Sequence, residues 1–375
     1  MKIEKMVRRE ILNFRPYLTG KPVSEVKREL GIKGSIIKLA SNENPFPPPP
    51  GVIKAVRKAA SSAAVYPEGA SLLLRRALAK KHRVKPANII PGSGTDEIIE
   101  LIGKVFFGPK DNIIVSKHAF IRYKMAGDLM GCRVTEVPMK HYTHDIAAMA
   151  SRVNRRTKAV FIANPNNPTG TYNTEAEIKK LIAGLRKKGS PLLVLDEAYY
   201  EYARSAYGYP DSVKLLRSYG NIVVLRTFSK IHSLAGLRAG YAVTSAEITG
   251  YLDRIRPPFN VNSAAQAAAL ASLKCPGHVR KSLDAVNNGR KYLYRELMRL
   301  GLPFVNSAAN FILISVAPMK GKTVFGKLLR QGVIARSMDE YGFPGHIRVT
   351  IGTPPQNRRF IKTLEKITRR KRAAG

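Results

Sequence analysis

From Ser71 to Ser245 short apolar runs alternate with stretches of helical period, and no other feature of the chain restricts its fold so far. The runs are NIIVSK from Asn112, RVTEVP from Arg133, KAVFIAN from Lys158, PLLVLDEA from Pro191, NIVVLRTF from Asn221 and AGYAVTS from Ala239. Helices are expected at SLLLRRALAKK from Ser71, DEIIELIGKVF from Asp96 and TEAEIKKLIAGLRKK from Thr174. Several runs are apolar at consecutive positions, which suits strands whose sheet is covered by helices on both faces. The expectation is an α/β fold, and open α/β sheets hold ligands beyond the carboxyl ends of their strands.

The pattern changes after about Phe259. AAQAAALASL begins a long helical region through Arg299, and three short strands follow at NFILISV, GVIARSM and HIRVTIG. These read as a smaller α+β domain, completed by the N-terminal helical segment and IIKLA. The expected division is 1–40 as an arm belonging in part to the small domain, 41–265 as the large domain and 266–375 as the small one. A chain of 375 residues has room for two such units. PFPPPPG at Pro45–Gly51 is read as a rigid extended segment that cannot be helix.

Four segments at strand ends carry the chemistry. In PGSGTDEIIEL, Pro91–Leu101, two glycines lead into a helix opened by Thr95, Asp96 and Glu97. Such a turn is either a plain helix start or a phosphate cradle, since glycines admit close approach and the first helical N–H groups lack partners. ANPNNPTG, Ala163–Gly170, ends a strand in turn formers. VLDEAYYEY brings Asp196 and Glu197 to the end of a buried strand, where a carboxylate needs a cation or strong donors. In LRTFSKIHSLAGLRAGY, Lys230 follows a strand and Arg238 comes eight residues later. A lysine at the mouth of an apolar site is suited to a lowered pKa and Schiff-base chemistry. A Ser229–Lys230 hydrolase dyad is disfavoured, because neighbours at a strand end seldom face each other and no G-x-S-x-G loop accompanies them.

In this order the four segments resemble the fold-type-I aminotransferases, which use pyridoxal 5′-phosphate, and above all the histidinol-phosphate aminotransferase family. RPY…GKP, KLASNENP, YP, GSGTDE, NPNNPTG, DEAY, RTFSK and AGLRAGY carry the resemblance, and PPFNVNSAAQAAAL, NFILI and IRVTIGT extend it from about Phe14 to Phe360. It implies a large domain with a mainly parallel seven-stranded sheet flanked by helices, plus the smaller α+β domain. It also implies transfer of the amino group of L-histidinol phosphate to 2-oxoglutarate, giving imidazole-acetol phosphate and glutamate.

Site residues follow from the matched motifs. Lys230 resembles the lysine that carries the cofactor covalently and shuttles a proton, and Asp196 the carboxylate paired with the ring nitrogen. Tyr199 and Asn167 resemble the pair that bonds the ring oxygen. Gly94, Thr95, Asp96, Thr227, Ser229 and Arg238 resemble the phosphate pocket. Tyr66 resembles a tyrosine reaching that phosphate from a second subunit, which implies a homodimer with shared active sites. Phe120 stands at the ring-stacking position usually held by tyrosine, keeping the aromatic face. For the substrate, Arg348, Arg336 and Tyr17 resemble the anion clamp, and Asn44 a residue of a lid at the border of the site. His232, Ser233 and PFPPPPG depart from the family pattern and are expected at the entrance.

Aromatic-amino-acid transamination and decarboxylation of the threonine-phosphate type are the nearest alternatives on the same fold. The composition raises a third. Lys and Arg number 64 against 26 Asp and Glu, a net charge of +38, which suggests anionic partners such as nucleic acid. Residues 353–375 contribute +7 and residues 1–40 contribute +6, so most of the surplus is dispersed. No basic element interleaved with aromatics appears, so specific nucleic-acid binding is not expected. The terminal RRKR, Arg369–Arg372, reads as a solvated helix end. Two cysteines and the lack of an apolar leader or membrane span point to a cytosolic protein. His141, His144 and Asp145 read as solvated polar surface, and no metal site is expected.

Overall fold

The structure, a computed structural model, describes residues 3–12, 14, 16, 22–32 and 34–372. In chain order the strands are β1 (Ile37–Lys38), β2 (Ile89–Gly92), β3 (Asn112–Ser116), β4 (Arg133–Val137), β5 (Thr157–Ala163) and β6 (Leu192–Asp196). There follow β7 (Ile222–Thr227), β8 (Gly240–Thr244), β9 (Phe311–Ser315), β10 (Val333–Ile334), β11 (Arg336–Ser337) and β12 (His346–Thr350). All six apolar runs are strands of one seven-stranded sheet, ordered β2-β8-β7-β6-β5-β3-β4. The pairs β4·β3, β3·β5, β5·β6 and β6·β7 are parallel, and β8 runs antiparallel to both its neighbours.

Successive strand side chains point to opposite faces, so a continuous apolar run supplies two cores at once. In β6, Leu193 and Leu195 join one cluster with Val160, Ile162, Val224 and the helix Glu175–Arg186. Leu192 and Val194 join the other, with Phe161, Val223 and the helix Thr95–Phe106. The register aligns the strand ends that carry the motifs. Ala163 is paired with Asp196, Asp196 with Leu225, and Gly240 with both Thr227 and Gly92.

The strand that sequence reading overlooked is β2. IIPG is four residues long and contains a proline, which demotes a run as a strand candidate. It stands at the sheet edge, where Pro91 needs no second ladder partner.

A third core unites β9, β12 and the helices Pro276–Arg299 and Pro354–Arg372 with Leu39, Tyr199 and Tyr202. GVIARSM serves two sheets. β10 pairs parallel with β1, and β11 lies beside β12 in the order β11-β12-β9. The segment before the prolines thus joins the C-terminal layer.

Three expectations need correction. The helix Pro50–Ala60 includes the last two residues of PFPPPPG, because proline at the first helical position loses no hydrogen bond and has a compatible φ. The helix Ser263–Leu273, cut by the expected boundary at 265, packs Ala265, Ala268 and Ala269 into the core of the large sheet. His144 is buried, not solvated: its ring meets Ser116 Oγ at 2.6 Å and the Ala163 carbonyl at 2.9 Å. Burial lowers its pKa to about 4, so it serves as a neutral link between β3 and β5. Among the described residues no helix is long and apolar enough to cross a membrane.

Candidate active site

A cavity of about 570 Å³ opens between the carboxyl ends of β5, β6 and β7 and the strands β11 and β12. Its walls include Thr95, Asp96, Phe120, Asn167, Asp196, Tyr199, Thr227, Ser229, Lys230, Arg238, Arg336 and Arg348, drawn from segments far apart in the chain.

Asp196 ends β6 and is 5% exposed. It accepts a hydrogen bond from Tyr123 Oη at 2.7 Å and one from the Ala198 N–H at 3.1 Å. Burial raises its pKa to about 6, against those two hydrogen bonds and the charge of Lys230. Lys230, three residues beyond β7, reaches the Ser41 carbonyl at 3.2 Å. Burial lowers its pKa to about 8, helped by repulsion from Arg348 and Arg238 and opposed by Glu43 and Asp96. A lysine so placed supplies free amine near neutral pH. Its ammonium lies 5.7 Å from the centre of the Tyr199 ring, and the Tyr199 hydroxyl accepts from Asn42 Nδ2 at 2.8 Å.

At the other end, the helix Thr95–Phe106 starts without a side-chain cap. Gly94 precedes it at φ 76°, and a Cβ there would lie 2.7 Å from Arg238 Nη2. A Cβ on Gly240 would lie 2.8 Å from both Gly94 C and Thr95 N. The two glycines let the turn lie flat on the start of β8 while Arg238 crosses it. Thr227 Oγ1 donates to Ser229 Oγ at 3.0 Å, which brings both hydroxyls to the same wall. The Asp96 carboxylate lies 3.5 Å from Arg238 and 3.6 Å from Arg122.

Arg336 and Arg348 are direct cross-strand partners in β11 and β12. Arg348 is 6% exposed and donates to the Ala40 carbonyl at 2.7 Å and to Asn167 Oδ1. Arg336 pairs with Glu340 at 2.8 Å. Two guanidinium groups side by side form a receptor for a planar or tetrahedral anion.

The family model for aminotransferase class I and II matches residues 34–364. The chain belongs to that family. Among curated proteins, the histidinol-phosphate aminotransferase of Moorella thermoacetica is 45% identical over 363 residues, covering 96% of this chain and 92% of that one. A second, histidinol-phosphate aminotransferase 2 of Carboxydothermus hydrogenoformans, is 42% identical over 96% of this chain and 99% of its own. Among solved structures, histidinol-phosphate aminotransferase from Sinorhizobium meliloti in complex with pyridoxal-5′-phosphate matches with a TM-score of 0.87. Its identity is 25%, over 97% of each chain. Aspartate aminotransferase from Thermus thermophilus with maleate shares the fold, with a TM-score of 0.82 at 22% identity.

Some expected residues of the aminotransferase lie elsewhere. Asn44 is not on the cavity wall: its amide donates to the Ile231 carbonyl and to Ser282 Oγ, each at 2.9 Å. Tyr66 is 79% exposed and stacks on Phe259 with ring centres 4.6 Å apart, away from the cavity of its own chain. Tyr17 lies outside the described residues. His232 and Ser233 are not at the entrance. His232 is buried 5.1 Å from the Phe228 ring, and burial lowers its pKa to about 4, while Ser233 meets His278 at 2.9 Å.

Sequence reading missed Tyr123, Asn42 and Arg122. Tyr123 sits one helical turn beyond Phe120 in SKHAFIRY, a spacing that could have put both on one face. Asn42 is the first asparagine of SNENP and has φ 56°, a left-handed conformation that asparagine tolerates.

Proposed function

We propose that this aminotransferase moves the amino group of L-histidinol phosphate to 2-oxoglutarate, with pyridoxal 5′-phosphate as cofactor. The observation that carries the reading is one cavity holding a buried lysine and aspartate at one wall and the cross-strand pair Arg336 and Arg348 at another. The 45% identical Moorella thermoacetica relative supports the choice of substrate.

The residues present suit the cofactor. Asp196 is a buried carboxylate bonded only to neutral donors, a place fit for a protonated ring nitrogen. The uncapped helix start at Thr95, with Gly94, Thr227, Ser229 and Arg238, suits a phosphate. Phe120 gives the ring a face, and Tyr199 and Asn167 give its oxygen donors. Asp96 would serve through its backbone N–H, its carboxylate being engaged with the two arginines.

When bound, pyridoxal phosphate supplies an aldehyde that captures amines and a cationic ring that takes up electron density from a breaking bond. Lys230, half neutral near pH 8, would hold the cofactor by its Nζ, and the same Nζ would take up the proton lost from the nitrogen-bearing carbon of the substrate. Asp196 would favour a positive charge on the ring side of the cavity, and Tyr123 keeps Asp196 oriented. Arg336 and Arg348 bind the phosphate of one substrate and a carboxylate of the other, so a single clamp serves both halves of a ping-pong cycle. Tyr66, exposed and clear of its own cavity, is read as reaching the cofactor phosphate of a second subunit in a homodimer. The two units are read as a large one around the seven-stranded sheet and a small one around β9 and β12. Small anionic metabolites, two free cysteines and no membrane-spanning helix among the described residues suit work in the cytoplasm.

Substitution of Lys230 by Ala should abolish the borohydride-reducible absorbance of the purified holoenzyme and its turnover; an unchanged spectrum overturns the reading. Steady-state assays with histidinol phosphate, phenylalanine and threonine phosphate should give the highest kcat/KM for the first, with keto product and no carbon dioxide.

A further inference from the structure

A second cavity, of about 560 Å³, shares no lining residue with the first. It lies between Tyr202 and Ala206 on one side and Leu283, Asn287, Arg290 and Tyr294 of the helix Pro276–Arg299 on the other. Arg290 is the sole charged side chain in its lining.

Exposed, unpaired cations are ordinary on a chain of net charge +38, but outside the first cavity several covered ones are accompanied by a carboxylate. Arg75 and Arg256 both bond Asp253, at 2.7 and 2.9 Å, and Arg226 bonds Glu197 at 2.7 Å. Arg290 is partly buried and, among the described residues, has only neutral partners: the Ala309 carbonyl at 2.9 Å and Asn287 Oδ1 at 3.3 Å. Its Nε is buried without an acceptor among the described residues, and burial presses against its charge. Tyr202 Oη, in the same lining, is buried, and its hydrogen-bond contact is with the Asn310 side chain.

We propose that this cavity is a binding site for a small monocarboxylate with an apolar or aromatic body, its carboxylate taken by Arg290 Nε. One guanidinium matches one negative charge, whereas a phosphate dianion calls for a second cation, and Arg290 is the only one in this lining. The rings of Tyr172, Tyr202 and Tyr294 with Leu283, Ala206 and Ala308 form the apolar remainder.

The place of the site gives its occupant a route to the active site. Arg290 holds the Ala309 carbonyl, the next residue Asn310 donates to the Asn42 carbonyl at 3.0 Å, and Asn42 donates to Tyr199 Oη at 2.8 Å. Tyr202 also lies three residues after Tyr199, its N–H bonded to the Tyr199 carbonyl at 3.1 Å.

The test is calorimetric titration of the holoenzyme with 3-phenylpropionate, which the arginine clamp of the active site should also accept. Wild type should bind two molecules per protomer. Arg348→Gln should keep only the second site, and Arg290→Gln only the first. Ala206→Phe, which fills the cavity and leaves Arg290 in place, should also leave one and covers the case that Arg290→Gln folds poorly. Inorganic phosphate should leave the second site's affinity unchanged. One molecule per protomer in wild type, two retained in either cavity variant, or displacement by phosphate from the second site would overturn the proposal. None of these results depends on which amine the enzyme transaminates.

Discussion

Asp196 and Glu197 are adjacent carboxylates at the end of one strand, and their side chains leave it on opposite faces of the sheet. Glu197 is fully buried and met by Arg226 Nε at 3.0 Å and Nη2 at 2.7 Å, with the guanidinium carbon 3.4 Å from the centre of the Tyr200 ring. Its charge is answered within the fold. Asp196 is nearly as deeply placed but bonds a phenol and a backbone N–H, and the charge of Lys230 in the same cavity acts on it without a hydrogen bond. Two carboxylates at one strand end are therefore placed differently: one is matched by a cation of the fold, and the other is left with capacity for a positive partner. A buried charge answered by protein marks architecture, and one answered by neutral donors marks a place for a ligand.

Breaking the architectural side should give the largest loss of stability. Arg226→Met leaves Glu197 buried and alone, which should lower unfolding free energy by about 3–5 kcal/mol, read from the urea midpoint. Glu197→Leu in addition should restore much of it; if the single substitution costs nothing, the pair is not structural.

The ligand side should respond in rate instead. Asp196→Asn should lower kcat by about 10²–10³-fold, about 3–4 kcal/mol, with the urea midpoint scarcely changed. Equal loss of kcat per folded molecule in Glu197→Gln would erase the distinction between the faces.

Tyr123→Phe sharpens the comparison at smaller scale. It removes a hydrogen bond that favours ionised Asp196, so it should cost about 1–3 kcal/mol and move the acidic limb of the kcat profile to higher pH. The sign follows from a folded pKa near 6 against an unfolded value about 4. In the cofactor-free protein Asp196 contributes stability below about pH 4, and this is lost as pH rises through about 6. Without Tyr123 that loss should extend to still higher pH, measured as melting temperature from pH 4 to 8.

The same contrast shows what could be read in the sequence. The sheet was legible because buried parallel strands cannot avoid continuous apolar runs, and NPNNPTG, DEAY and TFSK follow such runs directly. Lys230, Asp196, Tyr199, Asn167, Arg336 and Arg348 all line one cavity. The partner of each acid was not legible, since Tyr123 and Arg226 approach from other elements and carry no local mark. Asn44 and Asn42 lie two residues apart in SNENP, and only the turn at Asn42 decides which amide faces Tyr199. The charge surplus told least: of 64 Lys and Arg, the cavity is lined by Lys38, Arg122, Lys230, Arg238, Arg336 and Arg348.

The most direct test of the account is a single half-reaction, mixing the holoenzyme with L-histidinol phosphate in the absence of any keto acid. The account predicts one equivalent of imidazole-acetol phosphate per protomer, a halt with the cofactor in its amine form, and renewed turnover when 2-oxoglutarate is added. No conversion, or conversion that runs on without a keto acid, would contradict it.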